Sequence, residues 1–442
     1  MDLRAAVAEL MPRVRADLER LVRIPSVSAE GFDPDPVRES AKATAEILEA
    51  AGFRDVRFLE VEGAHPAVTG HIPGPEGSPT VLLYAHHDVQ PAGDPAEWTS
   101  PPFEPTERDG RLFGRGAADD KAGVMAHVAA VLAHAGRPPV TVTAFIEGEE
   151  ETGSENLPAF LEAHREALQA DVIVLADSTN WRVGQPALTV SLRGLVDCTV
   201  EVRTLGHSVH SGFMGGVFPD ALTVLSRLLA TLHDAEGNVA VEGLVAEEAD
   251  PLDLTVDEMR ELGGAVEGLR TIGEGSLTSR LWTRPAVSIL GIDAPKVQEA
   301  SNTLVPAARA KISLRLAPGQ DPQAAMDALT RHLEERGEWG AQVTVIPGAV
   351  AHPARIDAKG KSYDAARAAF REAWGTEPVD IGAGGTIPFV QAFMEALPEA
   401  AILVTGVEDP DTRAHGTDES LHLAEFERVC LAEALLLREL AT

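Results

Sequence analysis

Between residues 80 and 180 short apolar runs alternate with helix-patterned segments. TVLLYA (80–85), TVTAFI (141–146) and DVIVLAD (171–177) are rich in aliphatic and β-branched residues and too short for helices, so they are predicted as strands. Residues near 120–135 and 156–168 carry apolar positions at helical spacing. Strand followed by helix followed by strand is the rhythm of a mostly parallel sheet covered by helices, a three-layer α/β domain. After Pro186 the pattern changes. LTVSLRGLVDCTVEVRT alternates as one long strand, PDALTVLSRLLATL reads as a helix, and AVSILGI and ARAKISLRLAP read as strands. A helix in DPQAAMDALTRHLEER and a strand in AQVTVIPG complete an α+β domain. From residue 353 the first rhythm returns, with a helix in YDAARAAFREAW and a strand in AILVTG (401–406). The expected organisation is therefore one domain of residues 1–186 and 353–442, interrupted by an inserted domain at 187–352. The acidic, glycine-rich stretch 236–275 is expected to form a helical excursion on the insert.

Composition narrows the class. With 442 residues, 44% hydrophobic and 24% charged, the chain is an ordinary globular one, long enough for two or three domains. No apolar run reaches the roughly 18 residues of a membrane span. The N-terminal MDLRAAVAELMPRVRADLERL has the spacing of an amphipathic helix rather than of a signal peptide. Cys198 and Cys430 lie far apart and form no motif, which fits a cytoplasmic protein. A net charge of −32 repels phosphate backbones and anionic lipid, so neither nucleic acid nor membrane is an expected partner.

Ligands of open α/β sheets bind beyond the carboxyl ends of the strands. His86-His87-Asp88 come at the end of the first strand, Glu147, Glu149, Glu150 and Glu151 at the end of the second, and Asp177 at the end of the third. His415 comes after AILVTG, and Asp119 and Asp120 stand where the glycine-rich GRGAADDKAG enters a helix. Each feature alone has an ordinary reading: the acidic run as a solvated face, Asp119 and Asp120 as helix caps, Asp177 as a turn residue. Their joint placement at strand ends favours a site. Imidazole and carboxylate without thiolate suit Zn, Mn or Co better than Mg or Ca, and two ions sharing one carboxylate and a water are the economical arrangement for so many ligands. That chemistry is hydrolytic. No G-x-S-x-G elbow, phosphate-binding loop, H-E-x-x-H or complete G-x-G-x-x-G is present, so serine-hydrolase and nucleotide chemistry lack support.

YAHHDVQP, GRGAADDKAG, EGEEETGS, the strand ending at Asp177, HSGFMGG, NTLVP, GGTIP and AHGTDESL stand in an order and spacing that resemble the co-catalytic metallopeptidases, the family of carnosine dipeptidases, aminoacylases and succinyl-diaminopimelate desuccinylase. The resemblance spans roughly residues 15–430 and implies that the discontinuous domain is the catalytic, metal-binding one and that the insert at 187–352 is a lid or dimerisation domain. It implies that His86 and Asp177 hold one metal, Glu151 and His415 the other, and that Asp119 bridges them. Asp88 would orient His86, and Glu150 would be the general base. His210 matches the residue that, in the family, reaches into the partner's site of a homodimer and serves the developing oxyanion. In KISLRLAP the alternation sets Ile312, Leu314 and Leu316 on one face and Lys311, Ser313 and Arg315 on the other, so Arg315 can leave the core and grip a substrate carboxylate. Asn302, Gly384, Gly385 and Thr386 are its expected companions. Asp177 and HHDVQP resemble the dipeptidase branch, whereas Gly382 and Ala383 replace the Arg-Glu often found there. The expectation is a dinuclear, zinc-dependent dipeptidase acting on short peptides with a free C-terminal carboxylate. The alternatives are an N-acyl amino acid amidohydrolase and, from another class, a non-catalytic metal-binding protein.

Overall fold

A computed structural model describes residues 2–385 and 387–442. The chain divides into two compact units: Met1–Val190 with Ile356–Ile381 and Pro388–Thr442, and Ser191–Arg355 with Gly382–Ile387.

The first unit opens with helices α1 (Leu3–Val22) and α2 (Asp35–Ala51), then strands β1 (Arg54–Leu59), β2 (Ala67–Ile72) and β3 (Thr80–His86). Helix α3 (Lys121–Ala133), strand β4 (Thr141–Glu147), helix α4 (Leu157–Ala163), strand β5 (Val172–Leu175) and strand β6 (Ala187–Leu192) come next. The second unit contributes β7 (Gly194–Arg203), α5 (Ala221–Ala230), β8 (Ala286–Asp293), β9 (Ala307–Leu316), α6 (Pro322–Glu335) and β10 (Gln342–Ala351). The chain then returns to the first unit with α7 (Lys361–Trp374), α8 (Pro388–Ala396), β11 (Ala401–Val404) and α9 (Leu423–Glu439).

In the first unit the strands run in the order β1-β2-β4-β3-β5-β11-β6. The four central strands are parallel, and β2 and β6 flank them antiparallel. Every residue of β3 and β4 after the first is buried, which requires both faces of the sheet to be covered. α3, apolar almost all round, packs on β3 and is itself covered by α1 and α9. The rings of Phe389 and Phe393 from α8 stack on Tyr84 of β3 at 4.6 and 5.2 Å. Removing one such ring costs about 3–5 kcal/mol. The sheet is thus a rigid platform whose parallel strands all end at one edge.

The second unit is a four-stranded antiparallel sheet in the order β8-β9-β7-β10. Val196, Cys198, Val200 and Val202 of β7 and Ala308, Ala310, Ile312, Leu314 and Leu316 of β9 are buried at alternate positions, against α5 and α6. That period of two marks a sheet with one covered face. The single long strand expected at 187–203 is two strands, β6 and β7, in different sheets. The break falls at Arg193–Gly194, where a β-carbon on Gly194 would lie 2.7 Å from the Ala351 carbonyl, so only glycine passes. Stretch 236–275 holds one short helix, Val256–Leu262, closed by a capping box between Thr255 and Glu258. The rest is irregular, with Val239, Val241 and Leu244 packed on the core of the second unit and the charged and glycine-rich remainder mostly exposed.

Candidate metal centre

The parallel strands of the first unit deliver the polar residues together. His86 is the last residue of β3, Glu150 and Glu151 open the turn after β4, and Asp177 lies just beyond β5. Asp119 precedes α3, and His415 stands in the loop after β11 with a left-handed φ of 61°. Asp119 faces the two imidazoles with one oxygen each: Oδ1 is 3.1 Å from His86 Nε2 and Oδ2 is 3.0 Å from His415 Nε2. His415 Nε2 is also 3.0 Å from Glu151 Oε2. His86 Nε2 is 3.8 Å from Asp177 Oδ2 and 3.9 Å from Glu150 Oε2. His86, Asp119 and Glu151 form one set of side chains able to hold an ion, and His86, Glu150 and Asp177 another. Asp120 turns away: its Oδ2 accepts the backbone N–H of His86 at 3.2 Å, and it makes no cap bond to α3.

The charge balance of the cluster asks for cations. Hydrogen bonds donated to Asp119 and then to Glu151 push the His415 imidazole up to about 11. Burial opposes charge on His86, yet Asp119 and Asp88 hold its pKa well above the usual imidazole range. Asp177 is pushed up to about 7, chiefly by burial and further by Asp119 and Glu151, against the pull of His86. Glu150 is raised too, by burial first and Asp177 next. The carboxylates therefore outnumber the positive charge beside them, and what charge there is sits as protons on imidazoles that are themselves metal-ligand types. Divalent ions fit this donor set and would displace those protons.

Several neighbours position the cluster. Asp88 is fully buried and accepts from Ser28 Oγ at 2.6 Å and from the backbone N–H groups of Glu150 and Glu151 at 3.2 and 3.1 Å. Its Oδ1 is 3.3 Å from His86 Nδ1, so one carboxylate fixes both the imidazole and the glutamate turn. Gln90 donates from its backbone and its amide to the two carboxylate oxygens of Glu151 at 3.0 and 2.9 Å. His87 is buried and pushed down to about 4 by that burial, with Nε2 3.0 Å from the Pro66 carbonyl, so it packs as a neutral ring. Gln90, Ser28, Glu408 and the Arg115–Glu419 pair are not singled out by the sequence patterns above. Glu408, whose carboxyl is raised by burial and by Asp119 and Asp177, comes soon enough after β11 to be recognisable as a strand-end acid. The others act on partners remote in sequence, which apolar spacing does not reveal.

The second unit places His210 and Asn302 on one two-stranded ribbon: His210 pairs with Thr303, and the Asn302 carbonyl accepts the Ser211 N–H at 2.9 Å. His210 is exposed, and its Nδ1 accepts the Gly212 N–H at 3.0 Å. Arg315 stands on β9 opposite Leu195 and Ala286, half-buried, while Ile312, Leu314 and Leu316 are fully buried. Arg193 lies within electrostatic reach of Arg315 and is pushed down to about 10, mainly by burial. Gly384 is in ordinary contact with the Leu281 carbonyl and Gly385 has open space around it. Thr386 lies outside the described residues. Gly382, one of the two departures from the dipeptidase pattern, is required by packing: a β-carbon there would lie 2.5 Å from Cβ of Trp282.

Comparison with known proteins shows the family of the chain. The chain is 34% identical over 432 residues to the cysteinylglycine-S-conjugate dipeptidase of Corynebacterium striatum, covering 96% of this chain and 94% of that one. It is 30% identical over 414 residues to the Beta-Ala-His dipeptidase of Homo sapiens, covering 89% and 79%. The crystal structure of human carnosine dipeptidase 1 superposes with a TM-score of 0.78 at 28% identity, over 99% of this chain and 98% of that one. The sequence profile of peptidase family M20/M25/M40 matches residues 82–439. The chain belongs to this family of hydrolytic metallopeptidases.

Proposed function

We propose that the protein hydrolyses the peptide bond of dipeptides or short peptides with a free C-terminal carboxylate, using two divalent metal ions. The observation that carries this reading is the split contact of Asp119, one oxygen toward His86 and the other toward His415. Asp119 would bridge, with His86 and Asp177 on one side and Glu151 and His415 on the other. Zinc suits the set best, with manganese or cobalt as substitutes. When bound, the ions would supply Lewis acidity to the scissile carbonyl and to the attacking water.

The chain's own groups do the rest. Glu150 Oε2 would take the proton of the water and pass it to the leaving amine. Asp88 would keep His86 and the Glu150–Glu151 turn in register. His210 would donate to the oxyanion, and by its motif it does so in the partner subunit's site of a homodimer. Arg315 would grip the substrate carboxylate, supported by Asn302, Gly384, Gly385 and Thr386. The dipeptidase and Beta-Ala-His dipeptidase names of the relatives favour free-amine dipeptides over N-acyl amino acids. No helix among the described residues is long and apolar enough to cross a membrane. Two free, buried cysteines support a cytoplasmic location.

The decisive experiment is hydrolysis of dipeptides, their N-acetylated forms and N-acetyl amino acids by metal-stripped protein restored with Zn, Mn or Co, beside Glu150→Gln. The expected result is activity on free-amine dipeptides, lost by about 10²-fold or more in Glu150→Gln with metal content unchanged. Activity on acylated substrates alone would move the chain to the amidohydrolase alternative. Full activity of the variant would remove Glu150 as base.

A further inference from the structure

Four donors converge on one carboxylate beside the candidate metal centre. Glu419 is fully buried, and its Oε2 accepts from Arg115 Nη1 at 2.5 Å and from the Gly116 N–H at 3.1 Å. Its Oε1 accepts from the N–H groups of Ala118 at 3.0 Å and of Asp119 at 3.2 Å. Its own backbone carbonyl takes the Gly114 N–H at 3.0 Å, and Arg115 Nη2 reaches the Gly416 carbonyl at 3.1 Å. Every bond runs between the segment that carries Asp119 and the segment that carries His415. Both segments need holding: Gly116, His415 and Asp418 have φ values of 79°, 61° and 58°, a region side chains avoid. A buried ion pair adds little to stability by itself, since desolvation offsets most of its attraction. Its worth here is positional.

We propose that Arg115 and Glu419 are positioning residues that set the distance between Asp119 and His415 and thereby form one of the two ion sites, that of Asp119, Glu151 and His415. This rests on the two-ion reading proposed above. The other site shares Asp119 but takes His86 and Asp177 from the ends of β3 and β5, where Asp88 holds the His86 ring, so the pair bears on it less. The pair thus makes the two sites unequal in what maintains them.

The test is titration of the metal-stripped, full-length protein with Co(II), monitored by visible absorption and by competition with a chromophoric chelator. Native protein takes up two equivalents, and His415→Ala identifies which step belongs to the clasped site. Glu419→Gln, nearly isosteric but uncharged, is expected to weaken that step by about 10–100-fold, alter the absorption of that equivalent, and weaken the other step, which shares Asp119, by at least about threefold less. Equal weakening of both steps, or no change in either, overturns the proposal. Arg115→Met with Glu419→Gln covers a folding defect in the single variant, because it leaves no buried charge unpaired. Selective weakening in that double variant supports the clasp, and a native titration in it overturns it. Uptake of a single equivalent by native protein would instead refute the two-ion reading, and the clasp with it.

Discussion

Asp88 has both oxygens in use, on Ser28 and on the N–H groups of Glu150 and Glu151, with His86 beside them. Asp88→Asn would set an amide NH2 against one of those donors and leave a buried N–H unpaired, at about 1–3 kcal/mol. We expect kcat/KM on a dipeptide to fall by about 10-fold or more in Asp88→Asn and by less than about 10-fold in Ser28→Ala, which removes one neutral hydrogen bond. Steady-state kinetics on samples of measured metal content checks the order, and a larger loss in Ser28→Ala would refute it. At this scale the sequence is legible where a residue ends a strand: His86, Glu151 and Asp177 can be found because the sheet fixes where their side chains go. Gln90, Arg115 and Glu419 cannot, because their chemistry is a bond to a backbone group or to a partner about 300 residues away, as between Arg115 and Glu419.

α3 and α9 are joined by a buried bond, His127 Nδ1 to Glu433 Oε1 at 2.6 Å, while His127 Nε2 donates to the Tyr84 carbonyl at 2.9 Å. Burial lowers the His127 pKa, but Glu433 outweighs it and the net shift is upward. A histidine raised in the folded state contributes stability that is complete below its unfolded value of about 6.5 and is lost as pH rises through the folded value. The melting temperature of the native protein should therefore fall toward that of His127→Gln as pH rises from about 6 to 9, and parallel curves would disprove the coupling. The exit of β11 gives a second expectation. A β-carbon on Gly406 would lie 1.5 Å from the Ser178 carbonyl, so Gly406→Ala must displace backbone, at about 1–3 kcal/mol or more, read as a drop in melting temperature. Elements with a strong period, such as β3, β4 and the alternating β7 and β9, are legible from apolar spacing. The break between β6 and β7 is not, since apolar alternation continues across Arg193 and the break coincides with the close approach to Gly194 of Ala351 and Pro353, which are remote in sequence.

The whole chain carries −32, and its acid cluster gathers part of that charge in one place. Chelation of the ions should lower the melting temperature, more so at low salt, where screening is weakest. Insensitivity to chelation would speak against metal in the cluster. If His210 serves the partner subunit, mixing His210→Ala chains with Glu150→Gln chains should restore part of the activity through heterodimers. No recovery despite demonstrated chain exchange would place His210 in its own subunit or outside catalysis.

The sheet order has a consequence for synthesis. β11, made after residue 400, lies between β5 and β6, which are complete by residue 192. A nascent chain that has emerged only as far as α8 holds a sheet with the strand between β5 and β6 missing and two unpaired, apolar strand edges facing the gap. Such edges recruit strands from other chains. Chains stalled or truncated before residue 401 should therefore aggregate or be held by a chaperone, whereas those extended past His415 gain the closing strand and the last histidine of the cluster within fifteen residues of each other. Closure of the sheet and completion of the site are thus nearly simultaneous events during synthesis.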